Sequence, residues 1–212
     1  SGPHGVALGD LNGDGALDAV TADHDTNNIS VLLNTGAAKP VTVTNVLIND
    51  GSVQRSMVNS ITIDFSGQVT IAPGAFVLTK QGGGTENVLV ATSLVNGNTV
   101  AVLTFAGNDI NGGSVPDGHY TLTILADHIH DTTGQALDGD GDGSPGGNKV
   151  VTFFRLFGDA TGDGVVNNKD LAIFNTTFKK KAGDPGFLWY FDFDGNGVID
   201  NIDKKEFNLR KM

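Results

Sequence analysis

Short apolar runs alternate with polar turns over most of the chain, and this spacing is typical of β-strands. In the middle of the sequence the runs recur about every ten residues. Apolar and polar side chains alternate around Ile61, Ile63 and Phe65, and Asn96-Gly97 between two runs is a hairpin signal. The pattern predicts a β-sandwich. Its predicted strands are 41–48, 60–65, 68–71, 76–80, 87–92, 99–105, 120–126 and 149–156.

The two ends of the chain follow different patterns. Near the N-terminus, three apolar stretches at 6–8, 17–21 and 29–33 flank an acidic loop and a polar turn, which predicts a small antiparallel sheet. Near the C-terminus, helical segments follow acidic loops. We therefore expect a mainly β protein with a small all-α C-terminal part. The predicted domains are 1–38, 39–156 and 157–212.

Two C-terminal segments repeat each other at a fixed offset. They read DATGDGVVNNKDLAIFN and DFDGNGVIDNIDKKEFN, each a twelve-residue loop followed by a helix. Ca²⁺ takes six to eight oxygen ligands, which such a loop supplies from alternate positions around a glycine at position 6, here Gly164 or Gly197. Val166 and Ile199, at position 8, are expected to link the loops. The predicted ligands are Asp159, Thr161, Asp163, the Val165 carbonyl, Asn167 and Asp170, and then Asp192, Asp194, Asn196, the Val198 carbonyl, Asp200 and Asp203.

This tandem arrangement departs from ordinary EF-hands. The twelfth residue is Asp rather than Glu, and the segment before the first loop is predicted to be a strand. The pair resembles a type I dockerin, a module that docks onto a cohesin domain in systems that degrade polysaccharides. The resemblance implies a cohesin-like partner, which the residues at positions 10 and 11 of each loop contact. These partner-binding positions are Asn168, Lys169, Asn201 and Ile202, which lack the hydroxyl pair common in cellulosomal dockerins.

Two further resemblances concern the preceding regions. The N-terminal acidic loop offers oxygens around Gly13 and Gly15, and the segment resembles a single FG-GAP (VCBS-type) repeat, in which such side chains bind calcium. A lone propeller blade cannot bury its own face, so either earlier blades precede it or it packs on the next domain. Through the segment VTNVLINDGSVQRSMVNSITIDFSGQV, the stretch 118–122 and the segment 131–137, the middle region resembles a bacterial Ig-like domain of the kind found in surface and S-layer proteins. The predicted ligands of the N-terminal loop are Asp10, Asn12, Asp14, the Ala16 carbonyl and Asp18.

A fourth acidic segment, ALDGDGDGSPGGN, matches only the start of a calcium loop. Asp138, Asp140 and Asp142 occupy positions 1, 3 and 5, but position 12 is Lys149. A calcium site here needs a further ligand, for which Asp131 is a candidate. The alternative is a flexible acidic turn.

Charge supports a role for cations. The chain has 24 acidic and 13 basic residues, a net charge of −11, and all acidic residues except Glu86 and Glu206 are Asp. Most of them crowd into the four loops, where like charges oppose the compact state unless cations bind. We expect Ca²⁺ at two sites and at up to four. Because weak calcium sites fill where calcium is millimolar, we expect a secreted or cell-surface protein that belongs to a larger chain.

Other functions lack support in the sequence. An acidic chain without a basic patch argues against nucleic-acid binding, and no apolar run reaches membrane-spanning length. His128 and His130 lack a third ligand nearby, and most Asp residues belong to the loops, so we expect no enzyme in this sequence. Two hypotheses remain: a calcium-dependent docking module, or a structural module packed permanently on the sandwich. A third, weaker hypothesis is that the module is an appendage of an enzyme elsewhere in the protein.

Overall fold

The computed structural model describes residues 5–13, 16–23, 28–34 and 39–212. The chain forms two compact units, Ser1–Lys39 and Pro40–Met212. The structure is mainly β, with several antiparallel sheets and a small helical part near the C-terminus. This confirms the predicted fold class.

The first unit contains a three-stranded antiparallel sheet of β1 (Val6–Gly9), β2 (Asp18–Asp23) and β3 (Asn28–Leu32), in that order. Asp18 is fully buried where β2 begins. Its two carboxylate oxygens accept backbone N–H groups of Leu11 and Asn34, each at 2.7 Å. Asp18 thus ties the acidic loop to the end of β3.

The second unit is built on a seven-stranded sheet in the order β12-β10-β7-β8-β9-β5-β4, with β11 and β6 forming a small second sheet. The strand predictions agree closely with this structure, although β8 is longer than predicted and β11 was not predicted as a separate strand. The strands are β4 (Val43–Ile48), β5 (Ile61–Phe65), β6 (Val69–Ile71), β7 (Phe76–Lys80), β8 (Thr85–Val95), β9 (Asn98–Ala106), β10 (Gly118–Ile124), β11 (Ile129–Asp131) and β12 (Lys149–Arg155).

The large sheet folds over at β8 and encloses one apolar core. β8 pairs with β7 only through Thr85 and Glu86 and then follows β9 to its end. On both sides of this bend in the sheet, every second residue of a strand is buried in the same core. Ile63 of β5 and Leu122 of β10 are examples, and both are fully buried. Period-two burial on both halves is the packing expected of a sandwich.

The C-terminal part adds α1 (Asn168–Thr177) and α2 (Asn201–Arg210) around a second core. Phe174 and Phe207, one from each helix, have ring centroids 5.0 Å apart, and Phe174 meets Phe191 edge to face at 5.1 Å. All three are fully buried. The aromatic residues of this region therefore fill a core.

The two repeats are related by reciprocal backbone pairing. The segment leaving α1 binds the second loop, with the Lys179 N–H donating to the Ile199 carbonyl at 2.7 Å. The segment leaving α2 binds the first loop in the equivalent way, with the Met212 N–H donating to the Val166 carbonyl at 2.9 Å. The side chains of Val166 and Ile199 are both buried in the shared core. Their backbone carbonyls accept hydrogen bonds from these exit segments. Each repeat therefore closes the loop of the other.

Candidate metal centres

The first loop draws three carboxylates together. Ligand oxygens of Asp159, Asp163 and Asp170 all lie within 4.8 Å of one another. Asp159 accepts the N–H groups of Gly162 at 2.7 Å and Gly164 at 2.9 Å, so the chain wraps around its side chain. Asp170 returns from the first turn of α1 to complete the group.

Polar groups of the first loop also face this cluster. The Thr161 hydroxyl donates to Asp170 at 3.1 Å, and the Asp170 carboxylate also accepts the N–H groups of Ala160 and Thr161. Asp163 accepts the Val165 N–H at 3.1 Å. The side chains predicted at positions 1, 3, 5 and 12 therefore meet in one place.

The second loop repeats this geometry with slightly different donors. Asp192, Asp194 and Asp203 bring oxygens within 4.8 Å of one another. Asp192 accepts the Asn196 and Gly197 N–H groups at 3.1 and 2.8 Å. Asn196, at position 5, accepts the Val198 N–H at 2.8 Å, as Asp163 does in the first loop. The carboxylate that Asp163 supplies at position 5 of the first loop is replaced here by the amide of Asn196. In the second loop Asp194 supplies a carboxylate at position 3 instead.

Burial makes these clusters unfavourable without a cation. Burial raises the pKa of the Asp203 carboxyl to about 6, and the neighbouring charges of Asp194 and Asp192 act in the same direction. Burial also raises the pKa of Asp159 and of Asp192. Raised carboxyl pKa values mean that the negative charges lack compensation in the protein itself. A bound divalent cation would supply it.

The residues predicted at position 9 have a second role that the sequence analysis missed. Asn167 caps α1 by accepting the Lys169 N–H at 2.8 Å, and Asp200 caps α2 by accepting the Ile202 N–H at 2.7 Å. In return, Asp170 accepts the Asn167 N–H at 2.9 Å, which completes a capping box; Asp203 does the same in the second loop. The available signal was a capping residue three positions before an acidic residue.

The single loop after β11 begins in the same way but ends differently. Asp138, Asp140 and Asp142 form a third cluster within 4.8 Å, and Asp138 accepts the Gly141 and Gly143 N–H groups at 2.7 and 2.9 Å. No fourth His, Cys, Asp or Glu joins this cluster in the described part of the chain. The Asp131 carboxylate, proposed as a further ligand, instead accepts hydrogen bonds within its own turn, from Thr133 and Gln135.

The N-terminal loop is described only in part. Asp14 lies outside the described residues. Asp10 accepts the Gly13 N–H at 2.7 Å, as the first Asp of the first paired loop and of the single loop accepts the N–H three residues later. Both carboxylate oxygens of Asp18 accept backbone N–H groups. Asn12 and Ala16 lie on the same loop.

A partly buried group of ion pairs, which we call the latch, joins the C-terminal part to the sandwich. Asp117, before β10, accepts from Arg155 of β12 at 2.6 Å, from the Phe157 N–H at 2.7 Å and from Arg210 of α2. Burial alone would raise the Asp117 pKa, but Arg155, the Phe157 N–H and Arg210 outweigh it, and the pKa lies below its ordinary value. The two guanidinium groups also stack on Phe157 and Phe193. No sequence motif predicts this latch.

Loops of the sandwich also support both C-terminal loops from behind. The loop after β4 lies against the first, where a Cβ on Gly162 would come within 2.0 Å of the Val53 carbonyl oxygen. The loop after β9 lies against the second, where a Cβ on Gly195 would come within 2.9 Å of the Gly112 Cα. Ser56 adds a direct link, because its hydroxyl donates to the Tyr190 carbonyl at 2.6 Å and accepts the Gly158 N–H at 2.8 Å.

The four partner-binding positions lie at the start of the two helices and are all exposed. Ile202 is 51% exposed although it is apolar.

No protein-family model matches the chain, and a search of curated proteins found no match. Among the described helices, none is long and apolar enough to cross a membrane.

Proposed function

We propose that the C-terminal part is a calcium-dependent, non-catalytic docking module of a secreted or cell-surface protein. The observation that supports it best is the duplication of the loops in three dimensions. Two carboxylate clusters with similar internal hydrogen bonds lie beside one shared core, and each supports the exposed start of a helix.

Calcium is the cation that the donors favour. Each cluster presents carboxylate, amide or hydroxyl oxygens, with Asp163 or Asp194 exposed to solvent and Asp170 or Asp203 buried. Hard cations prefer oxygen, and Ca²⁺ accepts more ligands and less regular geometry than Mg²⁺. The loops can therefore hold Ca²⁺ between the entering chain and the first turn of each helix.

Docking is supported by the exposed N-terminal ends of the two helices, which the latch does not cover. Arg210 fixes the C-terminal end of α2 to the sandwich, while Asn201 and Ile202 at its N-terminal end remain exposed, as do Asn168 and Lys169 of α1. If the sandwich covered these faces, docking to a second protein would be blocked. Their exposure favours docking to a second protein, and a cohesin-like domain is the partner that the dockerin resemblance implies.

The structural hypothesis keeps one specific observation in its favour. The latch around Asp117 and the close approaches at Gly162 and Gly195 hold the loops on the sandwich as one unit. In this second candidate function, calcium stiffens a surface or adhesion domain, and the helix starts have no partner.

Calcium binding is tested by isothermal titration of the whole chain with Ca²⁺ and, separately, with Mg²⁺. We expect binding of Ca²⁺ that decreases by one site in Asp159→Asn and by one site in Asp192→Asn. Asp127→Asn is the control, because the Asp127 side chain is 81% exposed and lies outside the loops. Unchanged titrations in both loop variants would reject the metal assignment.

Docking is tested by titrating immobilised cohesin domains with the chain, in Ca²⁺ and in EGTA. We expect calcium-dependent binding to a member of the panel and at least a tenfold loss in Ile202→Lys. The matched control is Leu209→Lys, which places the same charge at another exposed apolar position of α2, 68% exposed. Calcium binding without any cohesin binding would favour the structural hypothesis.

A further inference from the structure

The second half of β8 is an open edge of the large sheet. Beyond Glu86, within the part of the chain that the structure describes, Asn87–Val95 pairs with β9 alone. The opposite side of the strand borders a groove lined by the segment from Ile71 to Leu78. This edge is independent of the metal loops.

The hairpin turn fixes which backbone groups face outward. Asn96 and Gly97 both have positive φ, 52° and 85°, and connect Val95 directly to its partner Asn98. In such two-residue type I′ hairpins the flanking residues bond to each other, so every second residue of β8 turns its N–H and C=O away from β9. Glu86 has this outward orientation and pairs with Leu78 of β7. The remaining outward residues are Val88, Val90, Thr92 and Leu94.

The open edge also exposes apolar side chains on both faces. Val90 and Leu94 point to the core side, opposite the buried residues Leu103 and Thr99, yet they are 45% and 59% exposed. Leu89 and Val95 on the other face are 51% and 50% exposed. Neither a charge nor a proline occurs from Asn87 to Val95. Edges of soluble sheets usually carry such residues because they prevent strand pairing between molecules.

The other edges of the same sheet are protected. β4 has a register shift between Val43 and Asn45, and the residue before it, Thr42, bridges to Asp138 of the single loop. β12 begins with the charged Lys149 and ends at Arg155, which the latch holds. The open half of β8 has neither a register shift nor a charged residue.

We propose that two copies of the chain associate through their β8 edges, as an antiparallel pair centred on Thr92. In this register Thr92 meets Thr92, and both residues point their backbone groups outward, so they exchange hydrogen bonds. Val90 of each copy then lies opposite Leu94 of the other, and Leu89 lies opposite Val95. The four large exposed apolar side chains of the edge thereby each gain an apolar neighbour on their own face.

Neighbouring registers fit less well. Centring on Ala91 also pairs outward residues, but it places Val90 opposite Thr92 and Leu89 opposite Ser93. Antiparallel pairing on Thr92 also separates the two Glu86 carboxylates, which lie at opposite ends of the interface. Self-complementarity of the edge therefore selects a second copy as its occupant.

The dimer should be weak. An interface of one strand from each copy belongs to the small class, below about 1,200 Å². Two chains of net charge −11 also repel each other, a repulsion that salt screens. We expect association in the range of about 10 µM to 1 mM, stronger at higher ionic strength.

Sedimentation equilibrium of the whole chain over that range tests the proposal. We expect a monomer–dimer equilibrium that weakens at least tenfold in Val90→Lys. The control is Val150→Lys, which adds the same charge at an exposed valine of β12, 56% exposed. A monomer at every concentration, or a dimer that survives Val90→Lys, would overturn the proposal.

Oxidative cross-linking tests the register. The chain has no cysteine, so a single one reports on its own position. Across a hydrogen-bonded pair the Cα atoms are about 5.5 Å apart, within the range for a disulfide, so Thr92→Cys should form a covalent dimer. Ala91→Cys lies opposite Ser93 and should react much more slowly. Preferential cross-linking at Ala91 would refute the register centred on Thr92.

Discussion

The paired C-terminal loops and the single loop at 138–142 begin alike and end differently. In the single loop and the first paired loop the first Asp accepts N–H groups three and five residues later, and in the second paired loop four and five residues later, which curls the chain around its carboxylate. Only the paired loops continue into a helix whose first turn returns a buried carboxylate, Asp170 or Asp203. The single loop continues into β12, which begins with Lys149 at the corresponding position.

The difference shows that the curled start of a loop, here called the wrap, and its complete set of cation ligands, here called the cage, have separate origins. The wrap needs only an Asp followed by glycines that accept positive φ, and a short sequence encodes it. The cage also needs a ligand returned by a packed element. In the paired loops, Phe174 and Phe207 hold the helices in the shared core, and the helices in turn hold that ligand.

The largest test of this contrast is removal of calcium. Each site filled at 100 times its Kd stabilises the folded state by about 2.7 kcal/mol, so two sites contribute about 5 kcal/mol. We expect EGTA to lower the melting temperature by roughly 10–20 °C. The single tryptophan, Trp189, packs against the C-terminal core, and its fluorescence reports on this region.

Variants assign that stabilisation to particular loops. We expect the double variant Asp159→Asn, Asp192→Asn to abolish the calcium-dependent shift, and Asp138→Asn to leave it intact although it lowers the melting temperature in both conditions. A calcium-dependent shift that Asp138→Asn removed would show that the single loop is the more important cation site.

The second test breaks the latch that joins α2 to the sandwich. Asp117→Ala leaves Arg155, which is 3% exposed, without its carboxylate, and we expect a loss of about 3 kcal/mol in the free energy of unfolding. Asp127→Ala, on the surface, should cost under about 0.5 kcal/mol. Denaturant titration at neutral pH measures both. Equal effects would mean that the latch contributes nothing.

The latch also predicts a pH dependence. Because the pKa of Asp117 is lowered in the folded state, its contribution is fully present above about pH 4 and is lost as the pH falls through the folded value. The stability difference between the wild-type chain and Asp117→Ala should therefore stay constant from pH 7 to 5 and shrink only below about pH 4. A difference that disappeared near pH 6 would point to another group.

Sequence reasoning succeeded where a feature is local. It placed β7 at its observed bounds and predicted both paired loops, because strand alternation and ligand spacing are written in consecutive residues. It missed the latch because Asp117, Arg155 and Arg210 are far apart in sequence and none belongs to a motif. It also predicted too short a β8, since the end of that strand depends on pairing with β9.

The third test compares two glycines at the same place in the two kinds of loop. Gly162 and Gly141 each lie three residues after the first Asp and have φ of 73° and 78°. Alanine costs about 1 kcal/mol at either from backbone strain alone. Only at Gly162 would the new Cβ meet backbone, the Val53 carbonyl, whereas nothing lies within 4 Å at Gly141. We expect Gly162→Ala to cost about 2 kcal/mol more in thermal unfolding, and equal costs would refute the close contact.

The smallest test separates the two roles of position 9, where the single loop has Gly146 and the paired loops have a capping residue. Asn167→Ala removes the hydrogen bond to the Lys169 N–H and should cost about 1 kcal/mol with or without calcium. Asp163→Ala, which removes a cluster carboxylate without capping a helix, should lower stability only in calcium. Denaturant titrations in Ca²⁺ and in EGTA give both differences. If the cost of Asn167→Ala vanished in EGTA, its main role would be as a metal ligand, and the cap would add little to the helix.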